Sequence, residues 1–540
     1  MKFFASPRLL LQICLVSGFS ILASVAPTQA ATNVWDGGAF PDTNWANGLN
    51  WEGDVVPGTG DDLVFPEGVP GRTNQNNLPA GLVINSITLD GAGYFLSGTA
   101  PFVLNAGVAS TGAGVNTIST PILINGSNCQ FSTVSGGTLV LNGNLNLNGQ
   151  RASFAAGGSI FMFSTITNSG GIAKTGTGTL QMFRASTYDG WTDVREGRLL
   201  VLDDLALGTS AGETTVAAGS ELQVLSGRKI NEHLFLSGNL FSGYAITNVW
   251  AGPVTLSAPG GVIQVNSGGA LWVEGVIDGA GALTKTQAGD LVLKGDNAYT
   301  GPTFVQGGNL FINGSQPASA VDVSAGGALR GIGTCGPVTN GFFGSLIPGL
   351  LNSPGILHIS GGLTFQSLCE TVVRLNGPEP GVGHDQLAVT GEVQFEGSAS
   401  LTVSPGYAPP VGATFEIIRK DSTNPVVGTF VGLPEGALLV ASNTAYRISY
   451  VGGDGNDITL TRDSVPSSIR SIAPLTNGFR KIVGIGLPRL RYVIEAAANL
   501  NSPIPWTPIG TNASDNGGVY EFIDADSPLY PMRFYRVLSP

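Results

Sequence analysis

The chain has 540 residues, 79 of them glycine, with 42% hydrophobic and only 11% charged residues. That balance excludes a disordered chain, which needs low hydrophobicity and high net charge, and so much glycine excludes a helical body. A formal charge of −12 excludes a surface that attracts nucleic acid or anionic lipid.

Residues 1–30 read as a secretory signal peptide. Lys2 and Arg8 supply the positive end, an apolar stretch runs from Leu9 to Val25, and Thr28-Gln29-Ala30 offers a small-residue cleavage site. Cleavage removes two cations and no acid, so the mature chain is more acidic still, and no transmembrane anchor is expected to remain. Three cysteines follow, Cys129, Cys335 and Cys369. An odd number gives no full disulfide framework, and only Cys335 with Cys369 is open to pairing if their backbones approach.

Residues 31–105 form an aromatic-rich head with Trp35-Asp36-Gly37-Gly38, Asn44-Trp45 and Asn50-Trp51. The expected role is a cap on the open end of a stacked fold, whose terminal edge would otherwise pair with other chains. The alternative is a glycan platform made of Trp35, Trp45 and Trp51.

From 106 to 344 short strands such as Thr138-Leu139-Val140-Leu141 and Leu271-Trp272-Val273 alternate with Gly, Asn and Ser turns. Period-two alternation puts one face of each strand into a core. Within this body one passage is written twice, in 157–199 and 268–310. Lys174, Gly178, Leu180, Tyr188, Gly190 and Gly197 return as Lys285, Gly289, Leu291, Tyr299, Gly301 and Gly308, every pair 111 positions apart. Such a copy points to a quasi-one-dimensional stack. With coils of roughly 20–25 residues the offset spans about five coils, and the body holds on the order of ten. At strand spacing that is a rod of roughly 50 Å. The matched residues are then marks of structural register, which makes them poor candidates for a catalytic role.

The stretch from Gly170 to Leu180, with Tyr188-Asp189-Gly190-Trp191-Thr192 and Gly197-Arg198-Leu199, resembles the autotransporter-associated β-strand repeat of bacterial passenger domains. The second copy, from Leu283 through Tyr299-Thr300-Gly301-Pro302-Thr303, is similar. The resemblance implies an all-β protein built on a right-handed parallel β-helix displayed outside the cell. Passengers of that kind are followed by a membrane barrel, which needs at least about eight strands. Nothing after Pro466 is long enough for one, so the expectation is a passenger without its own translocator.

Residues 345–463 are expected to continue and close the helix. Residues 464–540 carry more charge and fewer glycine pairs, in an order that resembles a small immunoglobulin- or fibronectin-like β-sandwich.

Candidate chemistry is sparse. Gly452-Gly453-Asp454-Gly455-Asn456-Asp457 fits half of a Ca²⁺-binding nonapeptide, making Asp454 and Asp457 weak calcium ligands, but its single copy favours a plain hairpin. His233, His358 and His384 lack zinc-site spacing and any nucleophile motif. His384-Asp385 is the best pair among them, placed in a turn before a strand. Glycoside hydrolysis needs two facing carboxylates. Asp203-Asp204 and Asp61-Asp62 are sequence neighbours, which point to opposite faces of a strand; Glu274 with Asp278 is the other pair considered. No catalytic residue and no cofactor are expected. The sequence therefore reads as a non-enzymatic, secreted or cell-surface β-helical scaffold of adhesin-like type. Its expected location is extracytoplasmic in a Gram-negative-type bacterium, at the surface or in the periplasm. Its partners would be extracellular polysaccharide or other surface proteins. The alternatives are a polysaccharide lyase or hydrolase on a β-helix, and a carbohydrate-binding protein using the Trp-rich head.

Overall fold

The computed structural model describes residues 30–98, 100–464 and 467–538, so the leader lies outside the described residues. Among those residues the only helical elements are two short 3₁₀ turns, Gly48–Asn50 and Ser527–Leu529. Everything else regular is strand. Inward residues are buried and their neighbours half-exposed, as in Gly137–Leu141 and Arg151–Ala156, which is the pattern a strand with one wet face must show.

The strands stack into a parallel β-helix. Its longest sheet has 16 strands, beginning at Thr73–Asn76 and ending at Val393–Phe395, and every pairing along its path is parallel. At strand spacing this is a rod of roughly 70 Å. It is longer than the sequence suggested because the coils run on into both flanks. On a second face Asn33, Leu63, Ile87 and Val108 are consecutive rungs. The head is therefore made of helical coils itself, with the tryptophans filling their interior.

Inward ladders carry the core. One runs Val108, Phe131, Phe154, Lys174, Val194, Val216. Phe131 and Phe154 stack in it with centroids 5.3 Å apart. One continuous hydrophobic cluster extends from Trp35 to Leu460, as expected of a solenoid in which no coil can bury its own apolar face.

The two copies of the repeat do not lie on the same face. Climbing from Lys174, the rungs are Val194, Val216, Leu236, Leu256 and Gly279. Lys285 comes one strand later, in Ala282–Thr286, on the neighbouring sheet, where it pairs with Ile263 below and Val305 above. The offset is thus five coils plus one face, and the second copy is turned one face round the rod.

The parallel stack ends at Thr414–Lys420, which pairs parallel to Gln386–Val389 and antiparallel to Asp457–Arg462. Phe365, Phe395 and Phe430 fill the core there, with Phe365 and Phe395 stacked at 4.6 Å. The last segment has two three-stranded antiparallel sheets. Tyr492 and Tyr520 stack between them at 4.6 Å.

Candidate functional site: buried repeat residues and exposed outer faces

The repeated lysines are buried, both with no exposed surface. Each ammonium is fully used. Lys174 Nζ donates to Thr175 O (2.8 Å), Gly176 O (2.6 Å) and Glu196 O (3.1 Å). Lys285 Nζ donates to Thr286 O (2.9 Å), Gln287 O (2.7 Å) and Gly307 O (3.0 Å). An ammonium has three donors, so each lysine ties the corner of its own coil to the corner of the next. Burial pushes both down to about 8, against the nearby carboxylates of Glu196 and Asp290 respectively. Both still carry the charge at neutral pH.

The other repeat marks serve the same stacking. Leu180 pairs with Leu199 and Leu291 with Leu310 in the core. Gly190 and Gly301 sit where a Cβ would lie 2.1 Å and 2.2 Å from the carbonyl oxygens of Gly170 and Gly281 one coil below, so no side chain fits. Gly197 and Gly308 take positive φ beside the lysine corners. Gly178 and Gly289 likewise leave no room for a Cβ.

Tyr188 and Tyr299 start buried hydroxyl ladders. Tyr188 Oη lies 2.6 Å from Thr192 Oγ1, and Tyr299 Oη lies 2.6 Å from Thr303 Oγ1. In the second copy Thr303 continues to Ser319 Oγ at 2.8 Å. In the first, Thr192 pairs with Thr214, whose hydroxyl donates to Glu232 Oε2 at 2.7 Å. Burial raises Glu232 to about 7, opposed by the Thr214 hydrogen bond. Between the usual 4.5 and about 7 the folded chain keeps a proton that the unfolded chain has lost. Stability therefore falls as pH rises through that window and stays reduced above it. Glu232→Gln is expected to remove that fall, roughly 3 kcal/mol at most. Thermal melts at the two ends of the window check it: an unchanged pH dependence in the variant refutes the assignment.

The glycan-platform expectation for the head is overturned. Trp35, Trp45 and Trp51 are all fully buried. Trp35 and Trp51 meet edge to face at 5.3 Å, and Trp45 stacks on Phe102 at 5.1 Å. Their N–H groups go to Pro70 O, Asn74 Oδ1 and Trp45 O. Large aromatics that find an acceptor for their N–H can be buried whole, and these leave no ring face for a sugar.

Asp454 and Asp457 lie in a hairpin turn, with Gly452 paired to Asp457. Asp457 is buried and accepts from Lys420 N (2.7 Å) and Asp454 N (3.4 Å). Its carboxylate closes that turn, and no group of three or more His, Cys, Asp or Glu suited to a metal stands among the described residues. Asp61 accepts from Ala31 N, Asn33 Nδ2 and Gly58 N, and Asp203 from Leu205 N. Glu274 lies between Lys229 (2.9 Å) and Lys294 (3.2 Å). His384 is buried edge-on to Phe415 at 5.4 Å, and burial lowers its pKa. Asp385 is held by Arg374, Nε to Oδ2 at 2.8 Å. His233 Nε2 lies 2.9 Å from Thr255 Oγ1. Cys129, Cys335 and Cys369 are free and buried; Cys335 donates to His358 O and Cys369 to Gln366 O.

Two features escaped the sequence. Lys420 repeats the lysine clip outside the duplicated passage: it is buried, donates to Ser422 O (3.1 Å) and Asn424 O, and pairs with Glu392 at 3.3 Å. Its signal was a lysine ending a strand just before a polar corner. The second is that the outer faces differ where the cores agree. Trp191, 58% exposed, stands in the first copy where Pro302 stands in the second. Beneath it Arg151 lies 5.3 Å from the indole centroid and shares Asp193 with Arg195. The second copy has Phe304 and Gln306 at the positions of Asp193 and Arg195. Trp272 is the other exposed tryptophan of the rod, 37% exposed.

A family model described as a passenger-associated-transport-repeat matches residues 172–201 and 283–310, the two stretches that carry the lysine clips. Among curated relatives, an extracellular serine protease of Serratia marcescens is 32% identical over 208 residues, covering 37% of this chain and 19% of the relative. The adhesin BmaC autotransporter of Brucella suis biovar 1 (strain 1330) is 30% identical over 151 residues, 28% of this chain and 4% of the relative. The chain thus spans less than a fifth of either relative. With both matched stretches lying on the rungs described above, the chain is a parallel β-helix protein that carries the passenger-associated transport repeat twice and is similar in part to autotransporter passengers.

Proposed function

We propose that this is a secreted or surface-displayed passenger that acts as an adhesin-like scaffold, presenting the outer faces of its β-helix to an extracellular partner. One observation carries the reading. The polar residues kept at identical spacing, Lys174/Lys285 and Tyr188/Tyr299, are buried and spent on the stack. The exposed positions of the same two copies diverge, Trp191 against Pro302 and Arg195 against Gln306. A stack of this kind separates fold from function: its core sets a rod, and its outer surface is free to vary. Among the described residues no helix is long and apolar enough to cross a membrane.

The test has two arms. On cells expressing the protein, added protease is expected to degrade it while a periplasmic marker survives; full protection would remove surface display. Purified protein is expected to bind saturably to host-cell or exopolysaccharide-coated surfaces without cutting casein or polysaccharide. Bond cleavage that persists through purification to homogeneity would overturn the scaffold reading in favour of an enzyme.

A further inference from the structure

On the third face of the rod Val249, Trp272, Val292, Phe311 and Arg330 stand on successive rungs, with Trp272 exposed and Phe311 buried. Three of them, Trp272, Val292 and Phe311, floor a groove of about 340 Å³ that runs along the rod axis. That volume falls in the range of small-molecule sites. Asp290, Lys294 and Asn313 line the same groove, and Leu350 and Leu351 form its wall.

The groove is held in shape. Arg374 donates to Leu350 O (2.8 Å) and Pro348 O (2.5 Å), which pins the wall loop. Arg374 is itself fixed by the buried Asp385 through two hydrogen bonds, at 2.8 Å and 3.0 Å. Lys294 Nζ stands 3.6 Å from the Trp272 centroid and pairs with Glu274, so the indole is braced while part of it stays exposed. A site fixed in advance loses little freedom when it is filled.

From this geometry we infer that the groove binds a neutral saccharide chain lying along the rod axis, an inference that rests on the adhesin-like reading and names its ligand class. The floor offers the exposed part of the Trp272 indole and the half-buried Val292 for the apolar face of a sugar ring, Phe311 itself being buried. The rim offers a carboxylate and an amide for hydroxyls, and only one oxygen of Asp290 is taken, by Asn309 Nδ2 at 2.7 Å. An acidic saccharide is disfavoured, because Lys294 is already paired with Glu274, Arg330 Nε is engaged by Asn309 Oδ1 at 2.8 Å, and Asp290 repels anions. An extended peptide is disfavoured too. The floor strands Ala270–Val273, Asp290–Leu293 and Gly308–Ile312 all have partners on both sides, which leaves no free edge for strand addition.

Calorimetric titration of the full chain tests this, using hexamers of neutral β-linked glucose and mannose and of acidic galacturonate. At least one neutral hexamer is expected to bind and the acidic one not. Trp272→Ala and, independently, Leu351→Glu are expected to weaken binding about tenfold or more, while Trp191→Ala binds as the parent does. Both altered side chains are exposed or half-exposed, and unchanged thermal melts would show that the fold is kept. Failure of both neutral hexamers, preference for the acidic one, or full affinity in Trp272→Ala would each overturn the groove. Surface attachment is measured in parallel. Attachment that survives Trp272→Ala sinks the groove alone, whereas a parent protein that attaches to nothing sinks the adhesin-like reading.

Discussion

Replacing Lys174 or Lys285 by Met is expected to lower the unfolding free energy by roughly 3 kcal/mol at each site. Methionine keeps the length of the stem and removes the three donors. The carbonyls of Thr175, Gly176 and Glu196, or of Thr286, Gln287 and Gly307, then lose their common partner. Leaving these partly buried acceptors unpaired costs up to about 1–3 kcal/mol apiece, and relief of the buried charge gives part of that back. Because each coil touches mainly its neighbours, the damage should stay local. In Lys174→Met, amide exchange should quicken across 172–201 while 283–310 keeps its protection, and the reverse in Lys285→Met. Arginine should restore little, since a planar fork cannot direct its donors at three carbonyls grouped round one point. A loss of protection spread evenly along the rod, or none at all, would show that the lysines do not act as coil-to-coil ties.

The sequence made the lysines legible as marks of register because a polar residue copied at fixed spacing inside an apolar ladder is best explained by the stack. It did not reveal that the copies sit on different faces. Coil lengths vary along the rod: the rungs above Lys174 are Val194 and then Val216, so one coil is longer than the one before it. A constant offset hides such differences. The Trp272 groove was illegible for another reason. Its floor comes from three successive coils and its wall from Leu350 and Leu351, far later in the chain, held by Arg374 and Asp385 later still. Only closure of the stack brings them together. Lys420 was missed because it lies outside the copied passage, where a single lysine at a strand end carries no periodic signal.

The aromatic head shows how the same residues support opposite functions until burial is known. Trp45→Ala is expected to destabilise the head by about 4 kcal/mol, the usual cost of emptying a large aromatic site. The indole stacks on Phe102 and packs edge-on to Trp51 at 6.0 Å, and its N–H donates to Asn74 Oδ1 at 2.9 Å. The change therefore removes packing and leaves Asn74, itself buried, without that partner. Since each coil of a stack is coupled mainly to its neighbours, the melting of the head should separate from that of the rod and move to lower temperature. Trp191→Ala, at an exposed position, should stay within about 0.5 kcal/mol of the parent. Saccharide binding measured at a temperature where the head is still folded should be unaltered by Trp45→Ala. Loss of that binding with the head's melting unchanged would give Trp45 a ligand-facing role and refute its place in the core.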